Sequence, residues 1–568
     1  GASSALVRGL SRPHLPRSSV PRMAVAVTAS KDAIAELDER YLSVCLDLGQ
    51  VAEPTRFWNP DGTGEIVDCA TFDFDRPVLR NMTAALAPAF LRIGGTEADR
   101  VHYALDPSEP IAPPKPFKST LTAAHLDAIG DFATATGLDV CFTLNAGWGA
   151  RTSSGEWTSD RARALMRYVK RRRHPFTVFE LGNEPNAYPL FHNGLVVEPE
   201  TYAADVRELA RLRDDECPAA RIAAPSTAWW PNLGEVDTLV FWPPRRIKRY
   251  LARVLGALDK GVAAPRLDIV TWHYYPGLST RSALAKYRDT VAYAAAALVA
   301  ASASAVAGIV DVGRTAATAL ALCAVLVTAL ATLVRRAVRP VSAASLRQPA
   351  NLDTAVELGQ QVLSLVRGSE VSAKAAVWLG ETGSAQVGGE PEVSGRWATA
   401  LWWLDQLGAL ALVGHQVQCR QTLSGSDYGL IDAAGGKLTG TPDYWASVLW
   451  KRLMGPQVLK VSAPGAPSTL RIYCHRPPKS FGGASSRSSV FLAINLGPLP
   501  EELDVGGPAI VWVLSGARPD ARTVTINGQL AETNADGTVP ELPGMPCREL
   551  PVVPPRSALF ALVPDWKR

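Results

Sequence analysis

The chain has 568 residues, 47% of them hydrophobic, enough to bury one large core and a smaller second one, which argues against a single small domain. Its 58 basic and 54 acidic side chains leave a formal charge of +4, too small an excess to demand a polyanion, and no nucleic-acid partner is expected. Eight cysteines (Cys45, Cys69, Cys141, Cys217, Cys323, Cys419, Cys474 and Cys547) are scattered without a CxxC pair or a zinc-like grouping, so no metal site is expected, and one or two disulfides stay open.

Residues 1–22, with Arg8, Arg12 and Arg17 among serines and prolines, read as a flexible leader. The run Met23–Thr28 reads as a short strand, and residues 23–35 are assigned to a domain that the chain completes only at its other end. From residue 36 to 455, compact apolar segments alternate with longer helical ones, the rhythm of βα units. Eight strand candidates result: Tyr41–Leu48, Phe90–Ile93, Val140–Leu144, Thr177–Leu181, Arg221–Ala224, Leu267–Trp272, Ala375–Leu379 and His415–Arg420. Leu121–Thr136, Asp160–Lys170 and Pro199–Leu212 carry helical apolar recurrence between them. The fold expected is a (β/α)8 barrel, in which the C-terminal ends of all strands open on one face. Polar residues gather at those ends: Asp47, Thr96, Asn183, Glu184, His273, Tyr274, Tyr275 and Glu381.

Between the sixth and seventh strands, residues 289–345 form a hydrophobic helical insertion. Val291–Val310 and Thr315–Val334 each hold 20 residues without a formal charge, long enough to cross a bilayer. Their alanine content and the Arg335-Arg336 flank pull in different directions, so a packed helical hairpin, a membrane hairpin through 291–334 and a wrongly retained exon all stand. From 456 to 568 the texture changes to short strands between Pro- and Gly-rich turns, among them Thr469–Cys474, Ser489–Asn495, Ala509–Leu514 and Ala558–Val563, which reads as an antiparallel β-sandwich.

Two carboxylates stand at strand-to-loop junctions. In Phe179-Glu-Leu-Gly-Asn-Glu-Pro-Asn186, Glu184 is placed to protonate a departing glycosidic oxygen, given an apolar wall and a charged partner to raise its pKa; its plainer reading is a helix-capping carboxylate. In Trp378-Leu-Gly-Glu-Thr-Gly-Ser384, Glu381 is placed to attack an anomeric carbon; its plainer reading is a buried salt bridge. If both face one mouth from the fourth and seventh strands, a separation of roughly 5 to 5.5 Å predicts retention of configuration, and roughly 6.5 to 9.5 Å inversion. His273 is expected to bond or orient the nucleophile, or to be a core histidine satisfied by a carbonyl. Acid–base and carboxylate chemistry of this kind requires no cofactor. Of the 15 tryptophans, most read as packing, and the rest as flat platforms for sugar faces.

Tyr41-Leu-Ser-Val44, Phe90-Leu-Arg-Ile-Gly-Gly-Thr96, Glu180–Asn186, Thr271-Trp-His-Tyr-Tyr275, Val377–Thr382 and Pro442-Asp-Tyr-Trp445 together resemble glycoside hydrolase family 79, the heparanase family, from about residue 23 to about 565. The resemblance implies a barrel with a β-sandwich to which the N-terminal strand contributes. It implies a retaining enzyme cleaving β-glucuronide linkages in heparan sulfate or a related glucuronic-acid-containing, sulfated or unsulfated glycan. An exo-β-glucuronidase, another retaining glycosidase and a catalytically silent carbohydrate-binding protein are the alternatives. Position by position, Glu184 corresponds to the acid/base and Glu381 to the nucleophile, while Asp47, Thr96, Asn183, His273, Tyr275, Gln421 and Tyr428 correspond to sugar-subsite residues. Gly388 and Gly389 correspond to glycines whose amides receive the glucuronate carboxylate. Candidate sulfate contacts are Lys115, Lys118, Arg245, Arg246, Lys248 and Arg281, with a solvated helix face the alternative for 245–249. Departures are Gln386, where vertebrate members carry tyrosine, and Glu390, whose charge is expected to repel a sulfated chain. The region Val101–Lys118 is short, which predicts a single-chain monomer without an excised linker. Asn81-Met-Thr83 is an N-glycosylation triplet, consistent with the secreted or lysosomal location the family implies.

Overall fold

The computed structural model describes residues 23–52, 72–229, 249–260, 266–282, 340–433, 436–482 and 487–564, with isolated positions 297, 325 and 329. Apart from those three positions, the uncharged stretches within 291–334 lie outside the described residues, as do the basic residues Arg245, Arg246 and Lys248. Among the described residues, no helix is long and apolar enough to cross a membrane.

Eight parallel strands close into a barrel: Leu42–Asp47, Ala89–Gly94, Leu138–Leu144, Phe176–Leu181, Arg221–Trp229, Ile269–Tyr274, Ala376–Thr382 and Val417–Arg420. Each overlaps a strand expected from the apolar runs. The eighth pairs with the first through Gln418 opposite Leu42, and the fifth pairs with the sixth through Ala223 opposite Ile269, so no edge is left open. Helices Ala123–Thr136, Asp160–Arg172, Pro199–Glu216, Tyr250–Asp259, Pro349–Arg367, Trp397–Val413 and Pro442–Leu453 follow strands around the outside. The period of two sorts the strand residues into tiers inside the barrel. Cys45, Phe90, Cys141, Val178, Ala223, Ile269, Trp378 and Cys419 pack an apolar floor. Two residues further along their strands, Arg92, Thr143, Glu180 and Thr271 form a buried polar tier directly above it. Asp47, Asn183, Glu184 and Glu381 come next, at the mouth.

After the barrel, the chain builds a nine-stranded sheet and a three-stranded sheet around their own core of Val27, Leu459, Phe491, Leu503, Leu559 and Ala561. The N-terminal segment supplies two strands instead of the single one expected. Thr28–Glu36 pairs antiparallel with Gln457–Ser462, and Val25–Ala26 pairs parallel with Glu501–Asp504. Helix Trp397–Val413 is hydrophobic all round, the mark of an element buried on every side. Its Trp397 donates to Arg556 O, and its Asp405 accepts from Tyr473 and Arg471 of the sandwich. One helix thus serves as a wall common to both units.

Candidate active site

The loop after the fourth barrel strand carries Glu184 in a left-handed conformation, φ 55°, which a residue with a Cβ adopts only when its surroundings hold it there. They do so on three sides. Glu184 N donates to Ser226 O at 3.0 Å, and Asn183 N donates to an Asp99 carboxylate oxygen at 2.7 Å. Asn186 exchanges a reciprocal pair of hydrogen bonds with the backbone of Ala228, at 2.9 and 3.0 Å. The same Asp99 accepts from Ala146 N at 2.9 Å, so one buried carboxylate ties the loops after the second, third and fourth strands together. Burial is the chief reason its carboxyl is pushed up to about 6.

Glu381, at the end of the seventh strand, faces Glu184 across the mouth. Single ligand atoms of Glu184, His273 and Glu381 all lie within 4.8 Å of one another, so the two carboxylates share one mouth. Both oxygens of Glu381 are held: Arg92 Nη1 donates at 2.9 Å and Tyr275 OH at 2.5 Å. The guanidinium of Arg92 also donates to Glu180 through Nε (2.9 Å) and Nη2 (2.7 Å), and to Asn183 Oδ1 at 2.9 Å. Asn183 therefore has its carbonyl end fixed inward. Glu180 in turn accepts from Thr143 and Thr271.

His273 is fully buried, and its nearer carboxylate is Glu184, at 3.0 Å, against 3.9 Å to Glu381; the expected primary contact with Glu381 is thereby corrected. Burial, then Arg92, hold the ring well below the usual histidine pKa, so it is neutral. Its Nε2 meets Ser226 Oγ at 2.8 Å, and Ser226 Oγ lies 3.4 Å from Arg92 Nη2. A guanidinium can only donate, which turns the serine hydrogen toward Nε2 and places the ring hydrogen on Nδ1, facing Glu184. Glu184, His273 and Glu381 have the compactness of a metal cluster, but the Arg92 guanidinium against Glu381 opposes a cation there.

Asp47, Thr96, Asn183, Glu184, Tyr275, Glu381, Gly388, Gln421 and Tyr428 line one cleft, joined by Glu97, Phe191, Gln386 and Val387, which the sequence reading did not single out as cleft residues apart from the departure at Gln386. Gln421 Nε2 donates to Asp47 at 2.7 Å and lies 3.3 Å from Tyr428 OH. Burial, then Glu97 and Glu381, push the Asp47 carboxyl well above the usual range. Val387, Gly388 and Gly389 have φ of 60°, 77° and 93°, three left-handed residues in a row. Gly389 N donates to Gln386 O at 3.3 Å and closes this turn, while Asp427 N donates to Gly388 O at 2.9 Å. A Cβ on Gly389 would stand 2.8 Å from Ser394 Oγ, so the tight turn also needs glycine for space. Gln386 and Gln421 are each buried with a side-chain oxygen that meets no hydrogen-bond donor among the described residues.

Other expected residues fall differently. Arg281 is engaged by Asp427 at 2.5 Å and lies 3.4 Å from the carbonyls of Gly388 and Gly389, so it braces the glycine turn from behind. Glu390 is buried and accepts from Thr280 N at 2.5 Å and Thr280 Oγ1 at 2.9 Å, so its carboxylate is turned into the loop rather than toward an incoming chain. Lys115 and Lys118 are exposed on a rim loop. Asn81 sits half-buried within helix Pro77–Ala84, its amide donating to Asp536 O, and its Thr83 is fully buried.

The model of the glycosyl hydrolase family 79 N-terminal domain matches residues 23–225 and 339–408. The chain is 25% identical to heparanase from Mus musculus over 94% of its own length and 93% of the relative's. It is 25% identical to baicalin-beta-D-glucuronidase from Scutellaria baicalensis over 91% and 87%. Among solved structures, a 4-O-alpha-L-rhamnosyl-beta-D-glucuronidase from Fusarium oxysporum superposes with a TM-score of 0.58 at 13% identity, covering 95% of this chain and 100% of that one. A GH51 alpha-L-arabinofuranosidase from Thermotoga petrophila gives 0.59 at 13% over the same shares. These two likenesses speak to the fold.

Proposed function

The chain belongs to glycosyl hydrolase family 79 and is a glycoside hydrolase; from that premise we propose that it cleaves β-glucuronide linkages of a glucuronic-acid-containing glycan with retention, Glu184 being the acid/base and Glu381 the nucleophile. The observation that carries this reading is the Glu184–His273–Glu381 cluster, its ligand atoms within 4.8 Å at the ends of the fourth and seventh strands. In the first step a Glu381 oxygen bonds to the anomeric carbon as the bond to the leaving oxygen breaks, and the Glu184 proton passes to that oxygen. In the second, Glu184 takes a proton from water, the water oxygen bonds to the anomeric carbon, and the glycosyl ester to Glu381 breaks. Arg92 and Tyr275 fix the direction of attack, and His273 Nδ1–H holds Glu184 toward the leaving side.

The glucuronate carboxylate is assigned to the Val387–Gly389 turn beside Tyr428. The raised pKa of Asp47 supports this placement, because a carboxyl whose ionisation is disfavoured opposes that anion less. Asn183 and the side-chain oxygens of Gln386 and Gln421 then meet sugar hydroxyls. The names of the heparanase and baicalin-beta-D-glucuronidase relatives agree with a glucuronide substrate. Action outside the cell or in the lysosome goes with such a glycan and is tested by locating the tagged protein. For the chemistry, an aryl β-glucuronide is the direct probe. Glu184→Gln and Glu381→Gln are each expected to lower kcat by roughly 10²-fold or more, with the β-anomer as first product by NMR in the parent. Full activity in either variant, or an α-anomer product, contradicts the assignment.

A further inference from the structure

Ten tryptophans have described side chains, and nine of them are buried; Trp148 alone is 42% exposed. Leaving an indole in water forfeits stabilisation that the other nine obtain by burial. Nor is it a loose side chain. Trp148 Nε1 donates to His192 O at 2.6 Å, and His192 N donates to Tyr188 O at 2.7 Å, which anchors that carbonyl. The neighbouring Gly149, at φ 85°, packs against the Phe117 ring so closely that a Cβ would meet it at 2.5 Å. Lys118 N donates to Arg100 O at 2.9 Å, and the Arg100 guanidinium donates to Phe191 O. Segments 100, 117–118, 147–149 and 191–192 are therefore one braced rim, and Phe191 is its inner edge, facing the cleft.

The rim belongs to the loops after the second, third and fourth strands, the same side as Glu184. The glycine turn and Tyr428 stand opposite, after the seventh and eighth. An acid donates its proton to the leaving oxygen, so the Glu184 side of the cleft receives the leaving group. We propose that Trp148 is a sugar-stacking platform of a leaving-group subsite, set beyond the ring bonded to the scissile oxygen, that binds a pyranose face of the glycan downstream of the cut. This rests on Glu184 being the acid/base. A rigid aromatic face covers the C–H face of a sugar with little entropy left to lose, while the hydroxyls at the ring's edge stay in water. The subsite makes the protein an enzyme that grips an extended glycan on the product side, rather than one that reads only a terminal glucuronide.

The test compares Trp148→Ala and Trp148→Phe with the parent on two substrates, a 4-methylumbelliferyl β-glucuronide, which has one small leaving ring system, and an unsulfated heparosan hexasaccharide. Trp148→Ala is expected to lose about ten-fold in kcat/KM on the hexasaccharide, through KM, as losing one stacked ring implies. It should leave the aryl substrate unchanged, and Trp148→Phe should recover most of the loss. An unchanged hexasaccharide rate, or equal losses on both substrates, overturns the proposal. If the parent cleaves neither substrate, the catalytic assignment has failed, and calorimetric binding of the hexasaccharide to Glu184→Gln with and without Trp148→Ala still decides the platform: equal affinity overturns it, about ten-fold weaker binding sustains it.

Discussion

Gln386 shows how a substrate can be read from what a protein leaves unfinished. Its side-chain oxygen is buried at the cleft wall without a donor among the described residues, and a buried orphan acceptor costs about 1–3 kcal/mol. A sugar hydroxyl relieves that cost only in the complex. Gln386→Met, close in volume and without the acceptor, is therefore expected to raise the melting temperature while raising KM on an aryl β-glucuronide several-fold; a variant less stable than the parent would remove the reason for assigning Gln386 to substrate. Ser226 is a positioning residue of a different sort: its carbonyl holds the Glu184 backbone, and its side chain reaches the Glu184 carboxylate through His273. Removing its hydroxyl in Ser226→Ala frees the ring to carry its hydrogen on Nε2 and to accept at Nδ1. The ionised form of Glu184 then loses a donor, so the basic limb of the kcat/KM profile is expected to move to higher pH. A fall in rate with no movement of that limb would indicate a packing role only. Ser226 was not legible as a site residue in the sequence, and Gln386 was legible only as a departure from the family pattern. Arg92 and Glu180 were closer to legible, because a charge inside the apolar runs Phe-Leu-Arg-Ile and Val-Phe-Glu-Leu must find a partner when the strand is buried on both faces.

Among the elements, the short helical turn Thr96–Arg100 carries more of the site's geometry than its length suggests. Asp99 within it holds the amides of Ala146 and Asn183 at once, and thereby the entry to the Glu184 loop. Because its carboxyl is raised by burial to about 6 from an ordinary value near 4, the stabilisation that accompanies its proton is complete below about pH 4 and is lost as pH rises through 6. Two pKa units amount to on the order of 3 kcal/mol for a fully buried group. The melting temperature of the parent relative to Asp99→Ala should therefore fall between pH 4 and pH 7; a constant difference would mean that Asp99 does not change protonation there. The barrel strands themselves could be found beforehand, since uninterrupted apolar runs of four to eight residues are what a strand buried on both faces requires. Loop partners could not. Asp99 with Asn183, Ser226 with His273, and Trp148 with His192 are separated by tens of residues, and only closure of the barrel makes them neighbours.

At the scale of the whole molecule, strand Thr28–Glu36, which precedes the barrel, lies along Gln457–Ser462, which follows it, and helix Trp397–Val413 joins that sandwich to the barrel. The strand that carries Glu381 leads into this shared helix, so the catalytic mouth stands on a wall braced from both domains. Motifs spread from Tyr41 to Trp445 pointed to one family because their order follows the strands around a single mouth. Retention through a covalent ester on Glu381 is the claim on which the mechanism depends. It is tested most directly by incubating the protein with 2-deoxy-2-fluoro-β-glucuronosyl fluoride and mapping any adduct by peptide mass spectrometry. One glycosyl unit is expected on the peptide containing Glu381, with activity lost in step and labelling absent in Glu381→Gln; an adduct on a different carboxylate, or an unlabelled protein that still turns over an aryl glucuronide with inversion, would contradict it.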